Sequence, residues 1–112
     1  MIIDPQQLEE LEYLADQLES GDYFEQNTRE FIRRADVLKA RIYRHCEEPD
    51  ILDLLDRLPE IELQPYRRSF LEQMLPKAGR NMVGKYKVRE TIREQARQTL
   101  TIFKQIRRWL GE

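Results

Sequence analysis

Sulfur and imidazole chemistry are almost missing from this chain, which has one cysteine, Cys46, and one histidine, His45. A lone cysteine cannot close an intramolecular disulfide, so an oxidising compartment is not implied. The two residues are adjacent, and on a helix they would point about 100° apart. Zinc takes about four ligands, so they do not start a soft metal site. No Glu-x-x-His pair exists to build a bundle di-iron centre. Cys46 therefore reads as core and His45 as boundary, and no metal or other cofactor is expected.

Nucleophiles are as scarce. Ser20, Ser69 and Cys46 are the serine and cysteine candidates, and one histidine would have to serve whichever was chosen. Carboxylates are abundant, as in Glu47–Glu48 or Asp50, Asp53 and Asp56, but nothing in the pattern sets one of them in a cleft. The chain is expected not to be an enzyme.

Long apolar runs are missing too. No 18-residue stretch could span a bilayer, and the first residues, Met1 to Pro5, reach an acid at once without a basic leader or an apolar segment. Cytoplasmic residence is the expectation.

What the chain does have is charge laid over a helical pattern. At 112 residues it fits one domain, residues 1–112, able to bury roughly 65% of its extended-chain surface. Its composition is 40% hydrophobic and 36% charged, and regular spacing of Leu, Ile and Phe argues against disorder. Residues 1–30 hold nine acids against one base, whereas residues 65–112 hold twelve bases against four acids, although the whole sums to −2. Separated fields of this kind steer a complementary partner.

Helix signals cover most of the sequence. Asp4-Pro5-Gln6-Gln7 opens the first helix with a cap, a proline at the first helical position and a glutamine placed for a capping box. Leu8, Leu11, Leu14, Ala15 and Leu18 form its apolar face, and Gly21 offers a left-handed stop. A second helix opens at Asp22 or Asn27 and carries Phe31, Ala35, Leu38, Ile42 and Cys46, with Ile32 and Val37 widening the face; Pro49 closes it. Asp50 opens a short helix through Leu58. Residues 60–64 alternate in polarity but have no second strand to pair with, so they read as a linker or a further helical turn. Pro65 starts another short helix with Tyr66, Phe70, Leu71, Met74 and Leu75.

The segment 76–87 reads as a basic interhelical turn. A last helix from about Val88 to Leu110 then presents Val88, Ile92, Ala96, Thr99, Leu100, Phe103, Ile106 and Leu110. Its arc, flanked by Ile102 and Trp109, is wider than a coiled-coil seam. The fold class is thus all-α: a compact bundle of three longer helices plus two short connecting helices, mostly antiparallel.

Two patterns invite a sharper reading. Gly79 to Lys85 matches the phosphate-cradling spacing of glycine, four residues, glycine and lysine, but Tyr86 stands where a hydroxyl should meet magnesium. No strand feeds the pattern. Two glycines in a basic turn is the ordinary explanation, although their amides would be open to a phosphate.

The second pattern is a basic stripe, Arg89, Arg93, Arg97, Lys104 and Arg108, with Lys77, Arg80, Lys85 and Lys87 at its upstream end. It would suit phosphates. Glu90 and Glu94 can also pair within it, and the acids of the first helix (Glu9, Glu12, Asp16, Glu19) could be set against it. The expected function is a non-enzymatic protein-interaction module: an adaptor, assembly factor, small chaperone or regulatory subunit. These nine bases and Trp109 are its candidate contact residues. A second copy of the chain is one candidate partner, through Trp109, Ile102 or Tyr66. A small nucleic-acid-binding regulator using residues 77–108 is the alternative. A membrane surface is not expected, because the last helix needs its apolar arc for the core. Trp109, on the flank of that arc, is expected to be at least half buried, either against the bundle or against a second copy of the chain.

Overall fold

A computed structural model describes residues 2–63 and 77–111, and for residues 77–87 the backbone alone. Four helices are present among the described residues: α1 (Pro5–Ser20), α2 (Phe24–His45), α3 (Pro49–Asp56) and α4 (Lys77–Trp109). No strand occurs among them. The all-helical expectation stands, and residues 60–63 are a non-helical linker. The short helix expected over Tyr66–Leu75 lies outside the described residues.

α1 begins and ends where its cap residues dictate. Asp4 is extended (φ −71°, ψ 124°) and accepts a hydrogen bond from the Gln6 amide at 2.9 Å, with Pro5 behind it at the first helical position. Ile3 and Leu8, which flank the cap, are both buried in the core, the arrangement of a hydrophobic staple. The full capping box does not form: the Gln7 Oε1 is buried without a hydrogen-bond partner. Gly21 ends the helix at φ 80°, and its amide donates to the Gln17 carbonyl at 3.3 Å.

The start of α2 differs from both expected positions. Neither Asp22 nor Asn27 caps it; the cap is Tyr23, held at φ 50° and ψ 39° without a side-chain cap bond. Asn27 instead donates from Nδ2 to the Asp22 carbonyl at 3.1 Å, fastening the turn from inside the helix. Pro49 is likewise not a terminator. α2 ends at His45, and Pro49 takes the first position of α3, where its missing N–H costs nothing.

The largest correction concerns α4. It starts at Lys77, not near Val88, and runs for 33 residues. Glycine within a helix costs about 1 kcal/mol relative to alanine. That penalty at Gly79 and Gly84 is too small to force a break where no proline intervenes.

One core cluster joins the four helices. Leu8, Leu11, Leu14, Ala15 and Leu18 from α1 meet Phe31, Leu38 and Ile42 from α2, Ile51 and Leu55 from α3, and Ile92, Ala96, Leu100, Phe103 and Ile106 from α4. Each large side chain so buried contributes about 1.5–3 kcal/mol. Cys46 is buried, as expected, and His45 is exposed. Thr28 and Thr99 also lie inside, donating back to the carbonyls of Phe24 (2.7 Å) and Gln95 (2.8 Å) in their own helices. Val37, expected on the apolar face, is exposed instead.

Candidate functional site

The basic stripe of α4 is built by helical spacing, and α1 lies along it. Arg97 Nη2 donates to Asp16 Oδ1 at 3.0 Å, while its Nε stands 3.6 Å from Glu19 Oε1. Lys104 Nζ reaches Glu12 Oε1 at 3.4 Å. Arg93 is held differently: its Nε donates to the Leu18 carbonyl at 2.8 Å, near the end of α1. As the numbers rise on α1 from Glu12 to Leu18, those of their partners fall on α4 from Lys104 to Arg93. Three of the nine candidate bases are thus engaged by α1. The ion pairs are about half exposed, so each contributes about 0–1 kcal/mol and acts mainly on register.

Arg34 extends the network to the other side of α1. It donates to Glu30 in its own helix at 2.8 Å and to Glu10 of α1. Glu30 is shared with Arg33, whose hydrogen bond holds the carboxyl below its ordinary range and raises the guanidinium in turn. Much of the acidity that polarised the sequence is therefore answered within the molecule.

Arg89 belongs to a separate cluster at the α1–α2 turn. Its guanidinium lies over the Phe24 ring, 5.0 Å from the centroid, and Arg93 lies 5.4 Å from the same ring. Phe24 is buried, whereas Tyr23 beside it is 80% exposed. Arg89 is itself exposed, and no described carboxylate pairs with it. Here sequence reasoning missed a partner: Phe24 as a platform for two arginines was not readable from spacing along α4 alone.

At the opposite end of α4, Arg108 is exposed and lines a groove of about 470 Å³ with Pro5, Leu8, Glu9, Glu12, Lys104 and Arg107. Trp109 is 58% exposed in the single chain, so the bundle itself does not bury half of it. The core positions at this end are filled by Phe103 and Ile106, which leaves the indole on the rim. The side chains of Lys77, Arg80, Lys85 and Lys87 lie outside the described ones. Their backbone is helical, so the Gly79–Lys85 pattern is not a loop. The basic interhelical turn read over residues 76–87 is thus helix from Lys77 on, and beyond the first turn the amides are taken by the helix ladder.

No family model matches the chain, and neither a curated protein nor a solved structure shows a significant match to it. Among the described residues no group of three or more His, Cys, Asp or Glu is placed to hold a metal ion, and no helix is long and apolar enough to cross a membrane.

Proposed function

We propose that this chain is a non-enzymatic protein-interaction module, an adaptor, assembly factor, small chaperone or regulatory subunit. In this reading residues 1–112 form a single antiparallel bundle domain that works in the cytoplasm. The observation that carries the proposal is the mismatch between α1 and α4. α1 has 16 residues and meets α4 between Arg93 and Arg108, while α4 has 33 residues and continues upstream to Lys77. The packed end joins α1 and α4 in one core, and the continuing end adds four further bases in sequence, Lys77, Arg80, Lys85 and Lys87. Exposed aromatics at Tyr13, Tyr23 and Trp109 add the residue types favoured at interfaces.

The nucleic-acid reading has one observation in its favour, the absence of any acid from Lys77 to Arg89. It loses Arg93, Arg97 and Lys104 to α1, which interrupts the phosphate track between Arg89 and Arg108. Sedimentation of the purified chain, combined with affinity capture, tests the main proposal. A stoichiometric protein complex, or a self-associated species, is expected. A strictly monomeric chain that captures no protein, yet turns over a substrate in an activity screen, overturns it.

A further inference from the structure

We infer that two copies of this chain associate weakly through the outer face of α4, antiparallel, about a two-fold axis near Thr101. The inference rests on the interaction-module reading, of which a self-associated species is one form, and names the surface and its geometry. Its first support is a stripe without charge. Thr91, Gln95, Gln98, Ile102, Gln105 and Trp109 follow one another at spacings of four, three, four, three and four, the repeat of a two-helix seam. The six charged residues between Thr91 and Trp109 all lie off it. The stripe stands roughly 100° round the helix from Ile92, Ala96, Phe103 and Ile106, and those core positions separate it from the bases that face α1.

The second support is that this face is open. Thr91, Gln98, Gln105 and Trp109 are exposed, and Gln95 and Ile102 are partly so. Gln95 donates to the Glu60 carbonyl at 3.3 Å, whereas the amides of Gln98 and Gln105 make no hydrogen bond among the described residues. Trp109 and Ile102, seven apart, give the seam its apolar part, and a tryptophan on a surface is most useful where a second surface covers it.

The third support selects a second copy as the occupant. Glu94, Thr101 and Arg108 run along one edge of the stripe at spacings of seven: acid, neutral, base. All three are exposed, and neither Glu94 nor Arg108 has an ion-pair partner among the described residues. With Thr101 laid near the second copy's Thr101 and the helices antiparallel, Glu94 meets the second copy's Arg108. Arg108 then meets the second copy's Glu94, so the pair forms twice, as a two-fold interface requires. Ile102 lies near the axis, and Trp109 covers the Thr91 end of the other copy. A parallel pairing in register would set like charge beside like.

The surrounding charges are compatible with that edge. Arg97 and Lys104 are paired with Asp16, Glu19 and Glu12 of α1. Glu60, held beside Gln95 through its carbonyl, adds an exposed acid at the Glu94 end. On α3, Asp53 is paired with Arg57 and Asp56 accepts from Tyr43, which leaves Asp50 as its unpaired acid among the described residues.

Sedimentation equilibrium of the full chain over a wide concentration range tests the inference. The wild type is expected to follow a monomer–dimer equilibrium with Kd on the order of 0.1 mM, because two apolar residues per copy make a small seam. Emission from Trp109, the only tryptophan in the chain, is expected to move to shorter wavelength over the same range. Glu94→Arg and Arg108→Glu are each expected to weaken the dimer at least about fivefold, since each sets like charges together twice. An equimolar mixture of the two variants again sets opposite charges at both contacts and is expected to associate about as tightly as the wild type. Circular dichroism confirms that both variants stay folded. A wild type monomeric at about ten times that concentration, a dimer with unchanged Trp109 emission or untouched by either variant, or a mixture no tighter than its components each overturns the inference. Should the chain stay monomeric yet form a stoichiometric complex with a different protein, the interaction module stands and this self-association falls.

Discussion

Arg93 closes the end of α1, donating from Nε to the Leu18 carbonyl at 2.8 Å while its guanidinium lies over Phe24. The last carbonyls of a helix have no intrahelical partner, and a basic side chain there also meets the negative end of the helix dipole. One side chain thus joins α1, the α1–α2 turn and α4. Arg93→Ala is expected to destabilise the fold by about 1.5–3 kcal/mol, the range for hydrogen bonds made by charged groups. Arg93→Lys should recover part of this, because an ammonium can still reach the carbonyl but cannot present a planar face to the ring. Urea denaturation of the three proteins measures both differences.

The Arg97 cluster should behave differently. Its partners Asp16 and Glu19 are exposed by half or more, and so is much of Arg97. A double-mutant cycle between Asp16→Ala and Arg97→Ala is expected to give a coupling of about 0.2–1 kcal/mol that shrinks with added salt. A coupling above about 2 kcal/mol would mean that these pairs hold the fold and do not merely set its register.

Trp109 lies on the rim of the bundle and is not packed into it. With 58% of its surface exposed, Trp109→Ala should cost about 1 kcal/mol or less, well below the 3–5 typical of a core aromatic. The same change should weaken a partner complex more than it weakens the fold, if the indole is a contact residue. Chemical denaturation and binding measured on one preparation separate the two effects.

Much of the fold was readable because local signals agreed. Asp4, Pro5 and Gly21 bracket α1, and the four-and-three spacing of Leu8, Leu11, Ala15 and Leu18 marks its buried side. The signals failed where one residue type has two uses. Pro49 can end one helix or begin the next, and Gly79 and Gly84 can make a turn or be tolerated inside a helix. The site was half legible for a similar reason. Helical spacing gave the basic stripe along α4, but which acids face it depends on how α1 packs. The pairing of Arg97 with Asp16 spans 81 positions and leaves no local trace. Burial of Trp109 by the bundle was not readable from its azimuth: three residues beyond Ile106 places it at the edge of the arc, where the neighbouring helix decides burial.

Tyr43 provides a check on the α2–α3 contact through pH. Its hydroxyl donates to Asp56 Oδ1 at 2.8 Å. That hydrogen bond, then partial desolvation and the nearby negative charge, raise the phenol above its ordinary value. A group whose folded pKa is raised stabilises the fold below its unfolded value, near 10, and loses that contribution as pH climbs through the folded value. The Tyr43 ring resonance, identified by its loss in Tyr43→Phe, should titrate at higher pH than a free tyrosine. In Asp56→Asn it should move back towards the ordinary range. An unshifted Tyr43 in the wild type would place the two side chains apart in solution.

α1 occupies the middle of the basic stripe of α4, engaging Arg93, Arg97 and Lys104 through Leu18, Asp16, Glu19 and Glu12. The most direct test is a fluorescence titration of the wild-type chain with random single-stranded RNA and duplex DNA at low and at physiological salt. No saturable binding is expected at about 0.15 M salt, because Arg93, Arg97 and Lys104 are held by α1. Tight binding at that salt, with a slope showing several phosphates neutralised at about 0.7–0.9 per contact, would contradict the account.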